Sequence, residues 1–207
     1  MGLITIGMSR SDRRVWAEPV TLAGLGEVTA RWLEREVTSQ PGYQPGWGPD
    51  TETEPLIPVL ARACRAGFVT DGSQPGVDEL DRPYLGGPGP RYQQRATVEG
   101  FCDQATAERI RAAAEAAGLL VLDVVPADVW RYDYSGCVDV TRCGDTPVTS
   151  FGGRPTWRDL EVTRFAECND TMLEVLCRAH QVTVIDPQWG RDDLLWPTLD
   201  QALDSTS

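Results

Sequence analysis

The chain has 207 residues and a formal net charge of −12, from 31 acidic and 19 basic side chains. It contains no lysine, so every basic residue is an arginine, and His180 is its single histidine. The absence of lysine excludes Schiff-base catalysis and a phosphate-loop lysine. One histidine is too few for a zinc or iron site built from several imidazoles. The available chemistry is therefore that of carboxylates, hydroxyls, thiols, arginine and the backbone.

Charge and hydropathy also restrict the partners of the chain. A net charge of −12 repels phosphate backbones and the arginines form no stripe, so we expect no nucleic-acid binding. No apolar run reaches the roughly 20 residues of a membrane helix, and the first 14 residues do not resemble a signal peptide. We therefore predict a cytoplasmic protein with no membrane contact. It should fold as one domain over residues 1–207, with poorly ordered ends at 1–14 and 204–207.

The six cysteines include no Cys-x-x-Cys pair. In a chain without a secretory signal, such cysteines are typically reduced thiols that pack as small hydrophobic side chains. Cys137 and Cys143 are close enough in sequence to form a redox pair, which stays an alternative.

Apolar periodicity and capping residues predict the regular elements. The predicted helices span residues 21–36, 53–67, 103–117, 169–180 and 191–203. The predicted strands span residues 68–70, 92–101, 118–125, 129–134 and 181–186. Helix-then-strand units recur three times, and this order predicts an α+β fold class with mixed sheets flanked by helices.

Two predicted loops and one helix end carry residues with possible chemistry. The Pro- and Gly-rich loop over residues 40–50 contains Trp47, which we interpret as a core residue, with a position over a bound cation as the alternative. A second loop, rich in Gly and Pro, is predicted over residues 78–90. His180 ends a predicted helix, where positive charge is favourable, so we interpret it as a helix-terminal residue rather than a triad member.

The turn after the strand at 68–70 has the most unusual local sequence, TDGSQPG over residues 70–76. The hydroxyls of Thr70 and Ser73, the amide of Gln74 and glycine-exposed backbone groups converge within one turn. Such a set can bind the edge of a polar ligand. The alternative is a turn that satisfies its own hydrogen bonds.

This turn and the helix before it resemble the C-terminal regulatory domain of eukaryotic methylenetetrahydrofolate reductase. In that domain a helix beginning Glu-Thr leads to an Asn-Ser-Gln-Pro turn; here Glu52-Thr53 leads to the Gly72-Ser73-Gln74-Pro75 turn. The likeness continues in YQQRA at 92–96 and DDLLW at 192–196, and it is weakest over 125–167. The chain also resembles an uncharacterised actinobacterial family of free-standing domains of this size.

The resemblance implies a ligand, S-adenosylmethionine or S-adenosylhomocysteine, and no metal. Because the chain lacks the catalytic barrel of the reductase, it implies a sensor or regulatory module without reductase activity. The matching positions are predicted ligand-binding residues: Asp50, Thr51, Glu52, Thr53, Thr70, Ser73, Gln74 and Thr149. Chemically, a carboxylate at Glu52 can accept both hydrogen bonds of a ribose diol, and hydroxyls can bind a ligand carboxylate or adenine nitrogens.

Two other functions stay open. The chain can be a stand-alone enzyme that acts on S-adenosylmethionine or a related polar substrate, with Asp71, Glu52 or Glu99 as acid/base groups. It can also be a protein-interaction module with a vestigial pocket, and a protein partner or a homodimer is compatible with the sequence.

Overall fold

The computed structural model describes residues 7–80 and 90–204, which form an α+β fold with two four-stranded sheets. The helices are α1 (Arg10–Ala17), α2 (Leu22–Leu33), α3 (Ile57–Arg65), α4 (Gln104–Ala116), α5 (Trp157–Asp159), α6 (Asp170–Leu176) and α7 (Leu195–Leu203). A 3₁₀ helix (Thr51–Leu56) precedes α3, and a π-helix (Leu160–Arg164) follows α5. The strands are β1 (Val69–Gln74), β2 (Val77–Glu79), β3 (Tyr92–Gln94), β4 (Thr97–Cys102), β5 (Leu120–Val124), β6 (Val138–Cys143), β7 (Thr146–Phe151) and β8 (His180–Ile185). The predicted α+β class is confirmed.

The first sheet has the strand order β1-β4-β8-β5, and each neighbouring pair is antiparallel. Side chains alternate along β8, so Val182 and Val184 lie on one face while Gln181 and Thr183 lie on the other. Helices α2 and α3 pack against β1, and α4 packs against β5 and β8. The two central strands, β4 and β8, are buried on both faces, and one of these faces carries polar side chains.

The second sheet has the order β2-β3-β6-β7 and is also antiparallel. The prediction of mixed sheets is therefore wrong, since every strand pair of both sheets in the described chain is antiparallel. A long hairpin joins the two sheets, since β1 pairs with β4 in the first and β2 pairs with β3 in the second. Both of its arms bend at residues 75–76 and 95–96. At this bend Gln74 Nε2 donates to the carbonyls of Arg95 (3.0 Å) and Val140 (2.9 Å).

All five predicted helices are present, with shifted ends. The prediction over 53–67 divides into the 3₁₀ helix and α3, because Pro55 and Pro58 lack the N–H groups that a continuous α-helix needs. The prediction over 169–180 extends too far: α6 ends at Leu176, and His180 begins β8 rather than ending a helix. His180 Nδ1 lies 2.8 Å from Asp123 Oδ1, so strand position and this contact hold it in place.

Three strand predictions are corrected. The strand predicted over 68–70 continues to Gln74 as β1, so most of the turn predicted over 70–76 is strand. The strand predicted over 92–101 divides into β3 and β4, which belong to different sheets. Residues 129–134 form a loop with one isolated bridge, Asp133 to Arg154, and not a strand. Strands β2, β6 and β7 were not predicted, and part of the loop predicted over 78–90 is β2, while residues 81–89 lie outside the described part of the chain.

The ends of the chain differ from prediction where they are described. Residues 1–6 and 205–207 lie outside the described ranges. The prediction of disorder over 1–14 is wrong for residues 10–14, which belong to α1. This helix is anchored because Trp16 is fully buried and its Nε1 donates to the Ser39 carbonyl at 2.7 Å. None of the helices in 7–80 and 90–204 has the length and apolar character needed to cross a bilayer.

Candidate functional site

A cleft of about 210 Å³ opens between α2, the loop over residues 40–50, the 3₁₀ helix and β1. The end of β7 closes one side of it. Its lining combines aromatic and aliphatic walls with hydroxyl and carboxylate groups: Trp32, Leu33, Gln40, Tyr43, Pro49, Asp50, Thr53, Leu60, Thr70, Asp71, Gly72, Ser73 and Phe151. Apolar walls with a few converging polar groups are typical of a small-molecule site.

Four of the eight predicted ligand-binding residues line this cleft, namely Asp50, Thr53, Thr70 and Ser73. They come from the 3₁₀ helix with its cap and from β1, segments that the fold brings together. Thr53 and Thr70 are buried, and Ser73 is half-buried. Thr70 Oγ1 lies 3.2 Å from Cys64 Sγ, which fixes the orientation of this hydroxyl.

The other four predicted residues lie outside the cleft lining. Thr51 and Glu52 are exposed on the 3₁₀ helix, where three residues per turn direct their side chains away from the inward-facing Thr53. Gln74 is buried and its amide is occupied at the hairpin bend, since its Oε1 also accepts from Thr141 Oγ1 at 3.1 Å. Thr149 is exposed on β7.

Aromatic side chains form one wall of the cleft. The rings of Trp32 and Tyr43 meet edge to face, with centroids 5.8 Å apart. Burial, followed by a hydrogen bond to Asp50, raises the pKa of Tyr43 to about 12, so this phenol stays protonated. The interpretation of Trp47 as a core residue is wrong: its side chain is 56% exposed, while its carbonyl accepts from Trp32 Nε1 at 3.4 Å.

A β-bulge in β1 places a carboxylate at the floor of the cleft. Thr70 pairs with Gly100 and Gly72 pairs with Glu99, so Asp71 between them has no cross-strand partner. A bulge redirects the side chain of its extra residue, and bulges are frequent next to functional sites. A Cβ atom on Gly72 would lie 2.8 Å from Phe151 Cε1, so glycine allows β7 to approach β1 here.

Asp71 belongs to a buried group of charges that we call the acid–arginine cluster: Asp71, Glu99 and Arg164. Arg164 Nη1, at the end of the π-helix, lies 2.6 Å from Asp71 Oδ2 and 3.4 Å from Glu99 Oε1. The side chains of Asp71, Glu99 and Arg164 are 14%, 5% and 22% exposed. One guanidinium is therefore shared by two carboxyl groups in a poorly hydrated environment.

The second sheet contributes a donor to this cluster. Glu99 Oε2 accepts from the Gly152 amide at 3.0 Å and from Thr183 Oγ1 at 2.8 Å. Gly152 has a φ of +91°, a conformation that glycine adopts without strain and that directs its N–H to Glu99. This hydrogen bond thus joins the residue that follows β7 to the polar face of the first sheet.

Burial governs the ionisation of the cluster. Burial raises the pKa of Asp71, an effect that the charge of Arg164 partly opposes. Burial also raises the pKa of Glu99, with opposition from Arg164 and reinforcement from Asp71. Burial, with the nearby charge of Glu99, raises the pKa of Tyr132 to about 12. Raised carboxyl pKa values are typical of groups that exchange protons in binding or catalysis.

Arg164 and Phe151 could not be identified from the sequence. Both lie within 125–167, where the resemblance is weakest, and one arginine among 19 basic residues forms no pattern. Asp71 and Glu99 were named only as acid/base groups of an alternative enzyme. The one local signal was an acidic residue inside a Gly-rich turn at the end of a strand, which is compatible with a bulge.

Other candidate chemistry lies elsewhere in the structure. All six cysteines are free, as predicted, and burial raises the pKa of Cys64 to about 11 and of Cys102 to about 12, so both thiols are poor nucleophiles. A wider cleft of about 540 Å³ is lined by two exposed tryptophans, Trp130 and Trp157. None of the predicted residues lies among the described residues that line it, and the acid–arginine cluster is absent from it.

Comparison with known proteins gives a family but no described activity. A search of curated proteins found no match. The family described as "Domain of unknown function (DUF6919)" matches residues 11–206, nearly the whole chain and both sheets. The chain therefore belongs to the DUF6919 family.

Proposed function

We propose that the cleft binds S-adenosylmethionine or S-adenosylhomocysteine and that the protein acts as a ligand-binding sensor or regulatory module. The observation that supports this most is the convergence of Asp50, Thr53, Thr70 and Ser73 on one cleft. These positions match the ligand-binding segments of the regulatory domain that the sequence resembles. Their hydroxyl and carboxylate groups can hydrogen-bond the polar edges of an adenosyl amino acid.

The shape of the cleft is compatible with part of such a ligand. Its volume of about 210 Å³ is below the roughly 300–1,000 Å³ that encloses a drug-sized molecule. We therefore propose that it encloses one moiety and leaves the remainder at the open rim. The aromatic wall of Trp32 and Tyr43 suits the planar adenine ring, and Asp71 at the floor suits a positive sulfonium.

Isothermal titration with each nucleotide tests the proposal. Ser73→Ala removes one hydroxyl from the cleft and should weaken binding about threefold to tenfold, the effect of one lost hydrogen bond. Ser135→Ala is the matched control, because Ser135 is an exposed serine outside the cleft and its loss should leave the affinity unchanged. The absence of heat up to millimolar concentrations of both nucleotides would reject the proposal.

An enzymatic role is the second candidate, and the acid–arginine cluster is the observation that favours it. Asp71 reaches the cleft and shares Arg164 with Glu99, so a proton can be held at a carboxyl group near a bound substrate. Incubation with S-adenosylmethionine, followed by mass spectrometry, should then show product formation that Asp71→Asn abolishes. Unchanged S-adenosylmethionine after prolonged incubation would reject this candidate and leave the binding proposal intact.

A further inference from the structure

The acid–arginine cluster carries more acid than base. Asp71 and Glu99 together have two carboxyl groups, and Arg164 is the cation in contact with both. If both carboxyl groups were ionised, the cluster would hold one uncompensated negative charge in a buried place. Such a charge is expensive to bury, so a group in this position binds a proton unless another cation is supplied.

The neighbours of the cluster do not supply that cation. Its titratable neighbours within the described chain are Tyr132 and Cys137, both neutral when protonated, and across the cleft lie Asp50 and Tyr43. The remaining contacts are neutral hydrogen-bonding groups on Thr183, Gln181 and the Gly152 amide. The open side of Asp71, toward the cleft, is therefore the place where a compensating positive charge can approach.

From this geometry we propose that Asp71 is the specificity-determining residue of the cleft and that it selects a cationic ligand over a neutral ligand of the same shape. A cationic group that enters the cleft neutralises the second carboxylate. The proton held by one of the two carboxyl groups is then released to solvent. A neutral ligand leaves the proton in place. This inference rests on the proposed function, since it assigns the charge that the same cleft recognises.

The two proposed nucleotides differ in the charge on their sulfur atom. S-adenosylmethionine carries a sulfonium cation, whereas S-adenosylhomocysteine has a neutral thioether at the same position. Proton release couples to binding, so the affinity for the cation should rise with pH while the affinity for the thioether stays constant. Discrimination between the two should therefore increase as the pH increases.

Calorimetry in two buffers of different ionisation enthalpy, phosphate and Tris at pH 7, measures the number of protons released. We expect release of a substantial fraction of one proton per S-adenosylmethionine and none per S-adenosylhomocysteine. Asp71→Asn should abolish the release and reduce the preference for the sulfonium about tenfold or more. Asp145→Asn is the matched control, because Asp145 is an exposed acid outside the cleft, and it should change neither quantity.

The outcomes separate the two proposals. Measurable binding of S-adenosylmethionine with the same heat in both buffers overturns the selection by charge and leaves the proposed function. An unchanged preference for the sulfonium in Asp71→Asn does the same. The absence of binding to either nucleotide rejects the proposed function.

Infrared spectroscopy of the ligand-free protein then tests the cluster itself. It should detect the C=O stretch of a protonated carboxyl group at pH 7, a band that Glu99→Gln and Asp71→Asn each reduce. The absence of that band would show that neither carboxyl group of the cluster holds a proton at pH 7, and it would overturn this inference whatever the ligand.

Discussion

The two sheets of this protein differ in what buries them. Strands β4 and β8 of the first sheet are almost wholly buried, between helices on one face and the segment around Arg164 on the other. In the second sheet, every residue of β7 except Phe151 is exposed. The central strands of the first sheet are therefore held by apolar packing, whereas β7 of the second sheet is held mainly by its backbone ladder with β6. The candidate site lies at that junction, where Phe151 and Gly152 of the second sheet's edge approach Asp71 and Glu99.

The largest effect is expected in the first sheet. Phe101 on β4 is fully buried and packs edge to face on Phe165, with ring centroids 5.5 Å apart. Phe101→Ala should lower the free energy of unfolding by about 3–5 kcal/mol, because it removes buried apolar area and leaves a cavity. Urea denaturation at neutral pH measures this. A loss below about 1 kcal/mol would contradict the distinction between the two sheets.

A smaller loss is expected at the hairpin bend that joins the sheets. Gln74→Ala should lower the free energy of unfolding by about 2–3 kcal/mol, because the carbonyls of Arg95 and Val140 and the hydroxyl of Thr141 lose a buried partner. The same denaturation measurement, combined with nucleotide titration, separates this role from ligand binding. Weaker binding with unchanged stability would instead support Gln74 as a ligand contact.

The acid–arginine cluster should make stability depend on pH in a defined direction. Since burial raises the pKa of Glu99, the folded state binds more protons than the unfolded state above the ordinary carboxyl pKa. This contribution is complete below the unfolded pKa and is lost as the pH rises through the raised one. Glu99→Gln, which cannot ionise, should therefore gain stability relative to the wild type between pH 5 and pH 8. A constant difference across that range would show that Glu99 titrates normally.

The smallest effect is expected on the exposed strand of the second sheet. Val148 on β7 is 39% exposed, so Val148→Ala should change the free energy of unfolding by no more than about 0.5 kcal/mol. Urea denaturation beside Phe101→Ala gives a direct comparison of a hydrophobic truncation in each sheet. A loss comparable to that of Phe101→Ala would mean that a partner or a second copy covers β7.

The difference between the sheets also explains which elements could be predicted. Val182 and Val184 belong to a short apolar run that indicates a buried strand, and β4, β5 and β8 of the first sheet were anticipated in place or within a longer prediction. For β1 only residues 68–70 were predicted as strand, because the Gly-rich sequence that follows indicates a turn. Strand β7 reads TPVTSF, with a proline and polar residues on an exposed surface, so no apolar period marks it. The strand predicted over 129–134 is wrong for the opposite reason. Apolar and polar residues alternate there, but Trp130 is 87% exposed and the described segment forms one isolated bridge rather than a continuous ladder.

The sequence by itself determined the chemical limits and most of the buried frame. The absence of lysine, the single histidine and the apolar periods follow from residue identity and local spacing, which do not depend on long-range contacts. Only the tertiary structure decided which polar residues meet. Thr53 and Thr70 reach one cleft because the 3₁₀ helix packs beside β1. Glu52, which precedes Thr53, and Gln74, which follows Ser73, face elsewhere. The pairing of Asp71 with Arg164, 93 residues later, depends on a bulge and on the burial of both side chains, and neither feature leaves a local sequence pattern.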